Sequence, residues 1–275
     1  MSYTEILVGT DGSSTASQAV VTASRLAAVL SLPLLIVTAW RRHQPDPPAP
    51  SEEAAYPAGG GAAGAEATWA TNATSDAAAI ARQEGVGEIH QHQPQGSAAE
   101  ALLRVASDHP QALLVLGTYG LADRAERLVG NVPHAMTHHS PIDLLLSTGV
   151  RTEPWRTVAL ATDGSQTAAQ AVGQGLALAN ALGSRPTLLT AARGEAKGRA
   201  ALDRVAEQLP AAAHADRRVV VDSDAATALT TAAADFDLLA IGNKAMSGPS
   251  RLLGSVANRI THQVPTDLLL VNTTR

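Results

Sequence analysis

The chain contains no cysteine, which excludes disulfides, thiolate nucleophiles and cysteine-ligated metal sites, and fits a reducing compartment. Large aromatics are scarce as well: Phe236 is the only phenylalanine, beside three tryptophans and three tyrosines in 275 residues. The core must therefore be packed by Ala, Val, Leu and Ile, and abundant alanine favours helices lying close on a sheet. No apolar run approaches the roughly 18 residues of a membrane helix. The start, Met1-Ser2-Tyr3-Thr4-Glu5, carries neither a basic region nor an apolar stretch of export length, so a cytoplasmic chain is expected. Positive charge is not in excess either, and a formal net charge of −5 gives no general attraction to nucleic acid or to an anionic membrane.

What is present is a long internal repeat. Val8-Gly9-Thr10-Asp11-Gly12-Ser13 returns as Leu160-Ala161-Thr162-Asp163-Gly164-Ser165, and Pro141-Ile142-Asp143-Leu144-Leu145-Leu146 as Pro265-Thr266-Asp267-Leu268-Leu269-Leu270. Each copy is long enough to be a domain, and the boundary falls in the short polar link Thr148 to Trp155, giving domains over 1–149 and 155–275. In each copy short apolar runs alternate with alanine-rich helical patterns. Strands are expected at 6–8, 34–39, 86–92, 113–116 and 143–147, with helices at 14–30, 66–83, 97–106 and 132–138. The second half repeats that order. Such alternation predicts α/β domains with doubly wound, mainly parallel five-stranded sheets and helices on both faces. Asp11 to Gly117 spans 106 positions and Asp163 to Gly242 only 79, so the first copy carries a net 27 extra residues. Most fall in 44–65, a Pro-, Gly- and Ala-rich stretch without hydrophobic period, which is expected to be a mobile insertion.

Two places in each copy can carry chemistry. The turn Thr10-Asp11-Gly12-Ser13, like Thr162-Asp163-Gly164-Ser165, sets an acidic residue at the carboxyl end of a first strand, where open α/β sheets bind ligands. The same residues serve equally to turn the chain and cap the next helix. The second place is Gly117-Thr118-Tyr119-Gly120, nine residues, then Gly130-Asn131-Val132 opening a helix. Glycines let a loop backbone approach a ligand, and a helix N-terminus offers unpaired amides to phosphate oxygens. Its plainer reading is an asparagine cap after a turn glycine.

On these residues the chain resembles the universal stress protein family, in a tandem form, over nearly its whole length. Nucleotide-binding members of that family use an early Asp and a G-x-x-G, nine residues, G-(Ser/Thr) pattern, matched here by Asp11, Gly117, Gly120 and Gly130. The resemblance implies that Thr10, Asp11 and the backbone at Ala39 hold the adenine and ribose end, with Gly120, Gly130, Asn131 and Val132 around the phosphates. Asn131 stands where the family has Ser or Thr. In the second copy Thr162, Asp163, Ala191, Gly242, Gly254, Ser255 and Val256 take the same places, but Ala245 replaces the second glycine and eight residues, not nine, precede Gly254. The family reading implies ATP with Mg2+, a stress-response sensor or regulator, a pseudo-twofold axis where the final strands of the two copies meet, a further homodimer and a regulatory protein partner. No residue of the motif is an evident general base, so fast hydrolysis is not expected. Alternatives are a slow ATPase or nucleotide hydrolase, and a protein-interaction module whose glycines only shape loops.

Other features are read more plainly. His134 and His138 share a helix face with His139 adjacent and His262 in the second copy, yet no carboxylate lies near in sequence, so a polar helical role is expected rather than a metal site. His90 and His92 alternate on a weak strand. Trp40-Arg41-Arg42 either stacks on a base or packs a strand end, and Lys244 and Arg251 either neutralise phosphate or are solvated. Ser13 and Ser165 have no fixed base within the motif, so a hydrolase nucleophile is not expected.

Overall fold

The computed structural model describes residues 3–41, 61–118, 131–149, 154–243 and 254–274. The first copy runs β1 (Glu5–Gly9), α1 (Ser14–Leu30), β2 (Leu34–Val37), α2 (Gly61–Gln83), β3 (Ile89–His92), α3 (Ala98–Asp108), β4 (Ala112–Gly117), α4 (Asn131–His139) and β5 (Asp143–Ser147). The second runs β6 (Thr157–Ala161), α5 (Gln166–Ala181), β7 (Arg185–Ala192), α6 (Glu195–Gln208), a 3-10 turn at Pro210–His214, β8 (Asp216–Val221), α7 (Ala225–Ala233), β9 (Leu238–Asn243), α8 (Ser255–Gln263) and β10 (Asp267–Asn272).

The apolar runs of β1 and β4 are buried on both faces, as strands of a helix-covered parallel sheet must be. Ile6 and Val8 pack into one core with α1, α2, α5 and α6, while Leu7 packs into the other with α3, α4, α7 and α8. Helix α1 shows the local logic. Its buried residues Ala16, Ala19, Val20, Ala23, Leu26 and Ala27 recur at three- and four-residue spacing, Ser13 caps its start, and Ser31 at φ 53° ends it by turning left-handed.

The two five-stranded halves join edge to edge in one ten-stranded sheet of order β3-β2-β1-β4-β5-β10-β9-β6-β7-β8. Strand order is mirrored about the central pair, which is antiparallel with Leu268 opposite Leu146, Leu269 opposite Leu145 and Leu270 opposite Leu144. The other paired strands are parallel. Those six leucines are at most 1% exposed, and their burial contributes on the order of 10 kcal/mol before ordering entropy is subtracted.

A buried carboxylate stands on each side of this seam. Asp143 accepts from Tyr3 Oη of its own copy at 2.7 Å and from the Asn272 amide of the other at 2.9 Å. Asp267 accepts from Trp155 Nε1 of its own copy at 2.9 Å and from the amide and hydroxyl of Thr148 in the other at 2.8 and 3.0 Å. The repeated Pro-x-Asp-Leu-Leu-Leu segment is therefore the joint between the copies, and the link's ends, Thr148 and Trp155, are tied to one acid.

Element boundaries differ from expectation at several elements, β3 among them, which starts at Ile89 rather than Val86. Helix α2 starts at Gly61 rather than Glu66, so 61–65 are helical and only 44–60 of the expected insertion lie outside the described residues. Alanine propensity extends this helix where hydrophobic periodicity is silent. Strand β2 ends at Val37, and Trp40 instead bridges Gln95.

Candidate functional site

The carboxyl ends of β1, β2 and β4 open into a cavity of about 300 Å³. Thr10, Asp11, Ala39, Gly117 and Val132 all line it, so five of the first-copy residues singled out from the sequence converge on one space. Val37, Leu102 and Leu116 add apolar wall, and Ser13 and Thr15 add hydroxyls. Gly120 and Gly130 lie outside the described residues, as do Lys244, Ala245 and Arg251. Asn131 is the first residue of α4.

The turn after β1 is held by its own side chains. Thr10 N donates to Val37 O at 3.0 Å and Thr38 Oγ1 to Thr10 O at 2.9 Å, fixing the ends of β1 and β2 together. Gly12 N donates to Thr10 Oγ1 at 3.2 Å, Ser13 N to Asp11 Oδ1 at 3.0 Å, and Ala16 N to Ser13 Oγ at 3.2 Å. The capping role is thus real, and it uses one carboxylate oxygen. Asp11 is exposed at the cavity rim, and its Oδ2 makes no hydrogen bond among the described residues. Gly12 sits at φ 75°, where a β-carbon is strained. Gly117 is glycine for another reason: a β-carbon there would stand 2.5 Å from Thr15 O, so the close approach of β4 to the first turn of α1 already demands it.

The second copy builds the same turn. Gly164 N donates to Thr162 Oγ1 at 3.0 Å, Ser165 N to Asp163 Oδ1 at 2.9 Å and Ala168 N to Ser165 Oγ at 3.2 Å. Ala191 is half-buried near the end of β7, Gly242 lies within β9, and Gly254, Ser255 and Val256 open α8 exposed to solvent. Two cations distinguish the copies. The Arg204 guanidinium lies over the Gly164 turn, 2.9 Å from where a β-carbon would sit, whereas the nearest group to Gly12 is the Ala73 methyl at 3.7 Å. Arg259 of α8 clamps Asp224, the N-cap of α7, through two bonds of 2.8 and 2.7 Å. These bonds hold the Asp224 carboxyl at about 2. The first copy has Ser97 and Ala135 at the corresponding positions, so its α3–α4 rim lacks that strap.

Three residues escaped the sequence reading. Pro133, also lining the cavity, removes one amide from the first turn of α4, where Ala257 of α8 keeps its own. Its signal was visible as a proline two residues after Asn131. Arg204 and Arg259 could not be found by spacing, because their partners lie 40 and 35 positions away. Trp40 packs at a strand end: its indole donates to Gln93 O at 3.0 Å and its backbone bridges Gln95. Among the described residues no group of three or more His, Cys, Asp or Glu is arranged to hold a metal, and no helix is long and apolar enough to cross a membrane.

The model of the universal stress protein family matches residues 2–147 and again 154–272. A universal stress protein of Mycobacterium tuberculosis (strain H37Rv) is 29% identical over 146 residues, which make up 52% of this chain and 95% of that protein. The crystal structure of a universal stress protein from Archaeoglobus fulgidus superposes with a TM-score of 0.71 at 14% identity, covering 99% of this chain and 100% of that one. A structure from Pseudomonas aeruginosa UCBPP-PA14 gives 0.70 at 14% identity, covering 98% and 93%. At that identity the two structures speak to the fold, which they share across both copies.

Proposed function

Because the chain belongs to the universal stress protein family, matched in both halves, we propose that it binds an adenine nucleotide, ATP with Mg2+, in the first copy, and acts as a nucleotide-dependent stress regulator rather than a fast enzyme. The observation that carries this reading is the cavity of about 300 Å³ on which Thr10, Asp11, Ala39, Gly117 and Val132 converge. Its size is at the lower end of ligand sites, suited to the base and ribose, with the phosphates reaching outward to α4. Val37, Ala39 and Leu102 offer an apolar surface to a base, and Asp11 Oδ2 offers an acceptor to a ribose hydroxyl. The amides that open α4, less the one lost at Pro133, are the donors for phosphate. Mg2+ would be carried chiefly by phosphate oxygens, as is usual for that ion.

The second copy is the weaker site in this reading. Its turn is intact, but its α7–α8 rim is strapped by Asp224 and Arg259. A cytoplasmic location, a homodimer and a regulatory partner that reads occupancy complete the proposal.

The test is equilibrium dialysis of the nucleotide-stripped full chain against ATP and magnesium. Saturable binding that Asp11→Ala and Gly130→Val weaken, and Gly254→Val leaves largely in place, supports the assignment. No binding at millimolar ATP overturns it. Binding indifferent to both first-copy changes moves the site elsewhere.

A further inference from the structure

Histidines remote in sequence meet where the two copies join. His134 and His138 project from successive turns of α4 with ring centroids 4.7 Å apart, and His262 of α8 brings its ring to 6.2 Å from His134. His139 lies 6.1 Å from His138. His138 and His262 occupy the same place in the two copies, counted back from the repeated Pro141 and Pro265. Sequence spacing showed only the pair on α4; folding adds the third ring from the other copy. Nearby, Asn243 Nδ2 at the end of β9 donates to Thr137 O of α4 at 3.1 Å, so α4 is held by the second copy just where the imidazoles gather.

The charged surroundings decide what protonation does. Helix α3, packed on α4, carries Glu100, Arg104 and Asp108; Glu100 bonds Ser97 and Arg104 bonds Gln95 O. Strand β5 carries Asp143, held by Tyr3 and Asn272. Helix α8 carries Arg259, engaged by Asp224, while α7 and β9 have no titratable residue within their spans. Burial, then His134, His139 and His262 in that order, hold the His138 ring below the ordinary imidazole value of 6.5. Imidazolium at the carboxyl end of a helix is ordinarily favoured by the dipole; here burial and like neighbours win.

We propose that this cross-copy histidine cluster is a proton-responsive joint: mild acidification adds charge at His138, where the rings of both copies crowd together, and loosens α4 from the second copy. The sign follows from linkage. A ring harder to protonate when folded than when unfolded means the unfolded chain binds more protons, so stability falls as pH drops through 6.5 towards the folded midpoint. The joint needs no nucleotide, so it stands or falls apart from the ligand assignment.

The experiment is a side-chain NMR titration of the full-length chain between about pH 8 and 5, with thermal melts over the same range. The His138 midpoint is expected below 6.5, and His262→Gln, which removes one of the rings that hold it down, is expected to raise it. The wild-type chain should lose more melting temperature between about pH 7.5 and 5.5 than the His134→Gln, His138→Gln, His262→Gln triple variant. His90→Gln, on exposed β3, should change neither result. An unmoved His138 midpoint in His262→Gln, or equal loss of melting temperature in wild type and triple variant, overturns the proposal. Should the triple variant fail to fold, the single His262→Gln and His134→Gln changes decide it by the midpoint alone.

Discussion

Replacing Asp267 by alanine removes an acid that is 1% exposed and accepts from Trp155 Nε1, Thr148 N and Thr148 Oγ1. The Thr148 hydroxyl can rotate to another partner, but the indole N–H and the amide cannot. Trp155 is 5% exposed, so its donor is left without water, at a cost of about 1–3 kcal/mol; the half-buried Thr148 amide adds about 1 kcal/mol. Against this stands relief from keeping a carboxylate out of water, which is why complete replacement of buried ionic groups can be mild while removal of one partner is not. The net expectation is a loss of about 2–4 kcal/mol, or roughly 4–8 °C in melting temperature for a chain of this size. Calorimetry and urea titration on the same samples would measure it, with Asp267→Asn as the isosteric control that keeps one acceptor and loses about half as much. A melt of Asp267→Ala within about 1 °C of wild type would refute the view that this acid ties the copies together.

Three further outcomes rest on single contacts. Gly117→Ala drives a β-carbon to 2.5 Å from the Thr15 carbonyl, which cannot swing aside, whereas the nearest atom to a β-carbon at Gly242 is the Ala171 methyl at 3.1 Å; the first should cost about 3 kcal/mol in a urea titration and the second clearly less. Gly12→Ala and Gly164→Ala place a side chain at φ 75° and 80°, at about 1–2 kcal/mol each, with Gly164→Ala the worse because the Ala201 Cα stands 3.0 Å away. Arg259→Gln frees the Asp224 carboxyl, which NMR should find risen from about 2 towards 3.8. Since the folded value is the depressed one, the pair's contribution is full above 3.8 and lost as pH falls towards 2; exposed as the pair is, the melting temperature at pH 7 should scarcely change.

The alternation of apolar runs with alanine-rich stretches made the fold legible, because buried parallel strands and close-packed helices leave strong periodic signals. Thr10, Asp11 and Gly117 were legible together because the ends of adjacent parallel strands must lie side by side, Val132 because it opens the helix that follows, and Ala39 only through the family resemblance. What stayed hidden depends on distance along the chain. The repeated Asp of Pro-x-Asp-Leu-Leu-Leu was visible as a repeat, but its donors lie far along the chain, Trp155 112 positions from Asp267 and Tyr3 140 from Asp143. The start of α2 stayed hidden because Gly61 to Ala65 have no hydrophobic face, and the glycines at 61 and 64 mask the helical propensity of the alanines between and after them. His262 could be placed beside His134 only once the antiparallel pairing of β5 with β10 was known.

That pairing also settles an aggregation problem. A lone copy would end in a three-leucine strand with an open row of amides and carbonyls, a template for any other chain. Here each such edge is capped by its twin, tethered through a link of a few residues, so the pairing occurs at an effective concentration that dilution of the protein does not alter. The outer edges, β3 and β8, carry polar and charged groups instead: His90 hydrogen-bonds Glu88, and Arg217 pairs with Asp203 and Arg218 with Asp235. A copy whose partner is guaranteed need not be interchangeable with it, and one half of this chain is free to lose or change a ligand while still serving as the other's permanent subunit.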